Sequence, residues 1–132
     1  MTHRLPIRIY YEDTDLGQVV YYANYLKFIE RGRSEYLRAA GVDQARMLAD
    51  HNLAFVVRRV EADYLRPARF DDLVEVVTRL DAIAGSRLTL TQTVERGGQT
   101  LFSARVTLVC VDLAAMRAHR VPGPVRAALG AD

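Results

Sequence analysis

Tryptophan is absent, and there is a single cysteine, Cys110. One thiol cannot close an internal disulfide, so stability has to come from a packed core. Cys110 stands in the apolar run Leu108-Val109-Cys110-Val111, the setting of a buried, inert thiol. The three histidines, His3, His51 and His119, are far apart in the chain, and no His/Cys spacing suits a metal. There is no glycine-rich nucleotide loop. No apolar run approaches the ~20 residues of a membrane-spanning helix. The opening residues, MTHRLPIRIYY, lack the apolar centre of a secretion signal, so the expected compartment is the cytoplasm. Neither sign of charge dominates: the net charge is +2 and the arginines are scattered. That argues against a nucleic acid partner and suits a ligand with a few phosphates better than a long polyanion.

Half of the 132 residues are hydrophobic, enough for one domain, 1–132, with its own core. One long helical pattern stands out. From Tyr22 to Ala40, the positions Tyr25, Leu26, Ile29, Gly32, Tyr36, Leu37 and Ala40 recur at spacings of three and four, one apolar face of an α-helix. Gly41 is a C-terminal stop. Such a helix would be a rod of roughly 28 Å. A shorter helical pattern, Val42 to His51, has Asp43 as its cap. Ahead of the long helix, Ile7 to Tyr11 reads as a strand with Pro6 at its start. After His51 the period becomes two. Ala54 to Arg66, Leu73 to Leu80, Leu88 to Val94 and Leu101 to Asp112 all alternate. The turns Gly85-Ser86 and Gly97-Gly98 between them are hairpin signals. Pro122-Gly123-Pro124 interrupts the pattern before a short tail with helical character.

Long strands joined by short loops form a mostly antiparallel sheet. The sheet must bury one face, and the long helix is the only large apolar object available to cover it. The expectation is an α+β fold: five antiparallel strands wrapped around one central helix. Gly32, in the helix's apolar stripe, would let the sheet backbone come close. Arg33 also points into that stripe and needs a partner, for which Glu30 is nearest.

The loop before the helix carries Glu12, Asp13 and Asp15, with Gly17 two residues on. A helix N-terminus has N–H groups without intrahelical partners and a positive dipole end. Acids there serve as plain caps, or they work beside those N–H groups. The pattern Tyr11-Glu12-Asp13-Thr14-Asp15-x-Gly17-x-Val19-Val20-Tyr21-Tyr22-x-Asn24-Tyr25, followed by Glu30-Arg31-x-Arg33, resembles the hot-dog-fold acyl-CoA thioesterases. The likeness is to the 4-hydroxybenzoyl-CoA thioesterase branch and, within it, to the Tol-Pal-associated acyl-CoA thioesterases. It continues through Phe55-Val56-Val57-Arg58, Pro67-Ala68-Arg69-Phe70-Asp71-Asp72 and Cys110-Val111-Asp112, and so covers nearly the whole chain.

The resemblance implies hydrolysis of a short-chain aliphatic or aromatic acyl-CoA to free acid and coenzyme A, without a cofactor. It implies an active-site aspartate at Asp15, nucleophile or general base, and a backbone N–H at Tyr22 that polarises the thioester carbonyl. Asp13 and Gly17 would support that loop. Arg87, after the Gly85-Ser86 turn, and Arg117, near the C-terminus, match positions that hold coenzyme A phosphates, for which arginine's planar fork is suited. A homo-oligomer, dimer or tetramer, is implied, with sites between subunits; acyl carrier protein is a second possible partner. Many Tol-Pal-associated relatives have histidine where this chain has Tyr22, so the resemblance carries the N–H role but not a histidine-assisted one. Two competing functions remain at this point. A hot-dog hydratase would need a catalytic histidine, which the motif lacks, and an acyl-CoA or carrier-protein binding domain would not need Asp15.

Overall fold

The structure is a computed structural model that describes residues 2–130. Strand β1 (Thr2–Arg8) is followed by a single 3-10 turn (Tyr11–Asp13), then helices α1 (Asn24–Ala39) and α2 (Gln44–His51). Strands β2 (Leu53–Tyr64), β3 (Leu73–Ala84), β4 (Arg87–Arg96) and β5 (Gln99–Asp112) come next, then β6 (Arg117–Ala118) and α3 (Gly123–Ala128). Across the sheet the order is β1-β3-β4-β5-β2, every pair antiparallel, with β6 paired to β5. This is the expected hot-dog arrangement, with a sixth, two-residue strand where five were expected.

Several boundaries differ from the sequence reading: β3 runs on to Ala84 rather than ending at Leu80, β2 ends at Tyr64 rather than Arg66, and the starts of β1 and α1 move. Strand β1 runs Thr2–Arg8, not Ile7 to Tyr11, and Pro6 sits inside it opposite Glu75. Strand β1 is an edge strand, where a proline's missing N–H costs no ladder bond. Helix α1 begins at Asn24, not Tyr22, and no side chain caps it. Asp43 caps α2 as expected, accepting the Arg46 N–H at 3.0 Å.

The buried face of α1 is Tyr25, Phe28, Ile29, Gly32, Arg33, Tyr36 and Leu37. Phe28 belongs to it and Leu26, 42% exposed, does not. The helix packs mainly on β1, β3 and β4. At Gly32 it is side chains, not sheet backbone, that come close. A Cβ there would lie 2.5 Å from Val76 Cγ1 and 3.2 Å from Gln92 Nε2. Gly32→Ala is therefore expected to destabilise the fold by about 1–3 kcal/mol through overpacking, read as a lower urea midpoint at unchanged slope.

Arg33 is 5% exposed, and burial pulls its guanidinium below its ordinary pKa while Glu30 opposes the shift. It donates to Glu30, as expected, and at 2.8 Å to Gln92 Oε1. The Gln92 amide in turn donates to Ile29 O and Thr78 Oγ1, both at 2.9 Å. The whole group is satisfied, so it sets how α1 seats on β3 and β4. Cys110 is buried, and burial raises its thiol pKa, consistent with an inert side chain.

The two sheet edges differ. Strand β1 carries Pro6, Arg4 and Arg8, features that block pairing with another strand. Strand β2 is 12 residues long and, besides Arg58 and Arg59 at its centre, carries Val56, Val57 and Val60. Val57 and Val60 pair with Leu108 and Val106, placing them on the helix side of the sheet, yet they are 45% and 37% exposed.

Candidate active site

The chain leaving β1 is tied to the β2–β3 connection: Ile9 N–H donates to Asp72 O, and Asp71 N–H to Ile9 O, both at 2.9 Å. After the 3-10 turn it forms a small hairpin. Thr14 and Val20 bridge, Asp15 N–H donates to Val19 O at 3.0 Å, and Gln18 N–H to Asp15 O at 2.9 Å. Asp15 Oδ1 accepts the Gly17 N–H at 2.9 Å. A Cβ on Gly17 would lie 3.1 Å from that oxygen, so a bare Cα is what lets the carboxylate close over the tip. Oδ2 has no hydrogen bond among the described residues, and Asp15 is exposed. One oxygen is held and the other is free.

Asp13 has a different position. Its Oδ2 accepts the Tyr10 N–H at 2.8 Å, and its carbonyl accepts Tyr21 N–H and Asn24 Nδ2, both at 2.9 Å. It braces the loop against the start of α1. Glu12 is exposed.

Tyr22 lies in the turn that leads into α1. Asn24 N–H donates to Tyr21 O at 2.8 Å, which makes Tyr22 and Ala23 the central residues of a β-turn. Ala23 has φ −68° and ψ −22°, as in a type I turn. A trans peptide points its N–H away from its C=O. With Tyr21 C=O turned inward to Asn24, the Tyr22 N–H points outward, and it makes no hydrogen bond among the described residues. It sits at the positive end of a 16-residue helix.

Both pieces are registered on the same segment. Val20 N–H donates to Ala68 O at 2.9 Å, and Ala68 N–H to the Tyr25 hydroxyl at 3.0 Å. The Tyr64 hydroxyl donates to Tyr22 O at 3.0 Å. Asp15 also borders a cleft of about 650 Å³ shared with Tyr11, Leu16, Gln18, Arg69 and Phe70. Tyr11 and Phe70 meet edge to face there, with centroids 6.4 Å apart.

Asp13, Asp15, Gly17 and Tyr22 thus stand together at one end of the sheet. Arg87 and Arg117 do not stand with them. Arg87 pairs with Val109, and Arg117 with Asp112, at the end where β2 begins. Strand β4 alone, ten residues or roughly 30 Å, separates that end from the hairpin end. Tyr64 and Arg69 were given no role in the sequence reading. Tyr64 was only one position in a strand's alternation, and Arg69 only part of a motif. Among the described residues no His/Cys/Asp/Glu group could hold a metal, and no helix is long and apolar enough to cross a membrane.

The arrangement pairs a half-free carboxylate with an unengaged N–H at a helix end. The sequence profile of the thioesterase-like superfamily matches residues 10–129. The chain belongs to that superfamily. It is 43% identical over 123 residues to the acyl-CoA thioesterase YbgC of Haemophilus influenzae, covering 93% of this chain and 90% of that one. It is 34% identical over 128 residues to the long-chain acyl-CoA thioesterase FadM of Escherichia coli, covering 96% and 94%. Among solved structures, a probable thioesterase from Bartonella henselae superposes with a TM-score of 0.87 at 35% identity, covering 92% of this chain and all of that one.

Proposed function

We propose that this superfamily member is an acyl-CoA thioesterase, hydrolysing acyl-S-CoA to a carboxylic acid and free coenzyme A. The observation that carries the reading is Asp15: Oδ1 held by Gly17 N–H and Oδ2 unengaged, on the hairpin whose base leads into the unpaired N–H at the start of α1. Attack on a thioester moves an electron pair onto the carbonyl oxygen. A fixed N–H at the positive helix end stabilises that charge without reorganising. Asp15 Oδ2 either bonds to the carbonyl carbon and expels coenzyme A thiolate, leaving a mixed anhydride that water cleaves, or takes a proton from the attacking water. Both routes end in the same acid and thiol, and both return Asp15 as carboxylate. FadM is named for long-chain substrates and YbgC for acyl-CoA without a stated length, so the acyl group is left to experiment. Thiol release from acyl-CoAs of graded length, followed with a thiol reagent, tests the reading. Release of one thiol per acid formed is expected; saturable binding of every acyl-CoA with no release would make the chain a binding domain.

The working unit in this proposal is a homodimer, or a tetramer built from dimers, in the cytoplasm beside its substrates. Support comes from the sheet edges. Pairing β2 antiparallel with its own copy, about an axis normal to the sheet, would bury Val57 and Val60 and remove the exposed edge. It would also set the beginning of one β2 beside the end of the other. Arg87 and Arg117 of the partner subunit would then flank the Asp15 end, where the phosphates of a bound coenzyme A need cations. A phosphopantetheine-bearing carrier protein would present the same arm. Arg87→Ala and Arg117→Ala are expected to raise KM for acyl-CoA more than they lower kcat, since phosphate contacts hold ground and transition states alike. The effect should shrink with an acyl-pantetheine, which lacks the nucleotide phosphates. Equal losses on both substrates would make these arginines structural, and a monomer by light scattering would remove the shared site.

A further inference from the structure

Tyr64 ends β2 opposite Phe102, on the face that meets α1. Its ring lies edge-on to three others, with centroids 5.0 Å from Phe102, 5.5 Å from Tyr25 and 6.1 Å from Tyr22. Tyr25 and Phe102 are themselves stacked at 5.0 Å. These contacts orient the Tyr64 phenol at the end of β2, although the residue as a whole is 48% exposed. Burial, then the neighbouring Tyr22 and Tyr25, push its pKa up, so it remains a proton donor well past neutrality.

That proton goes to the Tyr22 carbonyl at 3.0 Å. The acceptor belongs to the central peptide of the Tyr21–Asn24 turn, the unit that rotates by half a turn between type I and type II. The peptide on the other side of the Tyr22 Cα is held at its own carbonyl by Asn24 N–H, at 2.8 Å. The two planes flanking Tyr22 are thus pinned from opposite sides, one by the helix and one by β2. Helix α1 itself supplies no donor to the Tyr22 carbonyl among the described residues, since Leu26 N–H goes to Ala23 O at 3.2 Å. The tyrosine hydroxyl stands in for the missing helical bond.

We propose that Tyr64 is the positioning residue of the oxyanion turn: its hydroxyl, on the Tyr22 carbonyl, holds the Tyr22 N–H in line with the thioester oxygen. This rests on the reading that the Tyr22 N–H receives that oxygen. Tyr64 touches no reacting atom. It shapes the turn as the transition state needs it, so its loss should appear in kcat and not in KM.

Tyr64→Phe keeps the ring contacts and removes only the donor. A roughly tenfold fall in kcat is expected, below the ~10²–10³ of deleting an oxyanion donor outright. KM, melting temperature and oligomeric state should be unchanged. The decisive readout is a double-mutant cycle with Tyr22→Pro, which lacks the N–H. If Tyr64 acts through that group, Tyr64→Phe should cost nothing further in the Tyr22→Pro background. Three results overturn the proposal: wild-type kcat in Tyr64→Phe, the same fold-loss in both backgrounds, or a loss of fold or oligomer that makes Tyr64 structural. Failure of the underlying reading shows separately, as a folded Tyr22→Pro enzyme with normal turnover.

Discussion

Asp15→Asn is expected to lose turnover by ~10²-fold or more, the scale of a missing general base, and by more if Asp15 is the nucleophile. The hairpin tip explains why the fold should survive. The Asn amide oxygen can still accept the Gly17 N–H that Asp15 Oδ1 now takes at 2.9 Å. The amide nitrogen replaces Oδ2, which holds nothing else in place among the described residues. The substitution therefore removes a lone pair and a charge from the free side of the group and leaves the bound side alone. Asp13→Asn is the matched control. Its carboxylate is engaged with Tyr10 N–H at 2.8 Å, so the cost should be smaller and should come through the loop. Steady-state thiol release on both variants, with light scattering to verify assembly, decides the matter. An Asp15→Asn enzyme with wild-type turnover would reduce Asp15 to a turn residue, closing its own tip and doing nothing to substrate.

What was legible in the sequence is what periodicity encodes. Alternation at Leu88, Leu90 and Val94 marks β4 because a strand has two faces, and the stripe through Ile29, Gly32 and Tyr36 marks α1 because a helix has one. The start of α1 was read two residues early because nothing punctuates it: Ala23 stands at the cap position with no side-chain bond. Pro6 misled in the opposite way. A proline reads as a strand's beginning, but on an edge it is tolerated inside, and only the sheet order makes β1 an edge. Val57 lies outside the alternation that runs through Val56 and Val60; an irregularity between Val57 and Arg59 puts it on the same face as Val60, and both are exposed there. The site divides along the same line. Asp13, Asp15, Gly17 and Tyr22 are neighbours in sequence and stay neighbours in space. The distance of Arg87 and Arg117 from them, and the bond from Tyr64 to Tyr22, depend on which elements distant in sequence lie together, which no single local pattern contains.

Tyr22 is the position where backbone and side chain can be separated, and a series of three substitutions should do it. In Tyr22→Phe the ring still meets Tyr21 at 5.0 Å and Tyr64 at 6.1 Å, the carbonyl still accepts from Tyr64, and the N–H still points outward. Its kcat should stay near wild type. Tyr22→Ala gives up the ring contacts and keeps the N–H, so it measures the cost of packing alone. Tyr22→Pro gives up both. Its position suits proline well: it is the first central residue of a turn, where φ near −65° is already required. The preceding residue, Tyr21, lies outside the helix, so the restraint proline places on it is tolerable. The N–H being removed satisfies nothing among the described residues. The proline variant should therefore fold and lose ~10²–10³ in kcat relative to Tyr22→Ala, the usual cost of one oxyanion donor. A Phe variant as impaired as Asp15→Asn would move the chemistry to the Tyr22 hydroxyl. A folded Pro variant as active as Tyr22→Ala would place the oxyanion donor on another group, with the Ala23 N–H, next along the same turn, the first to examine.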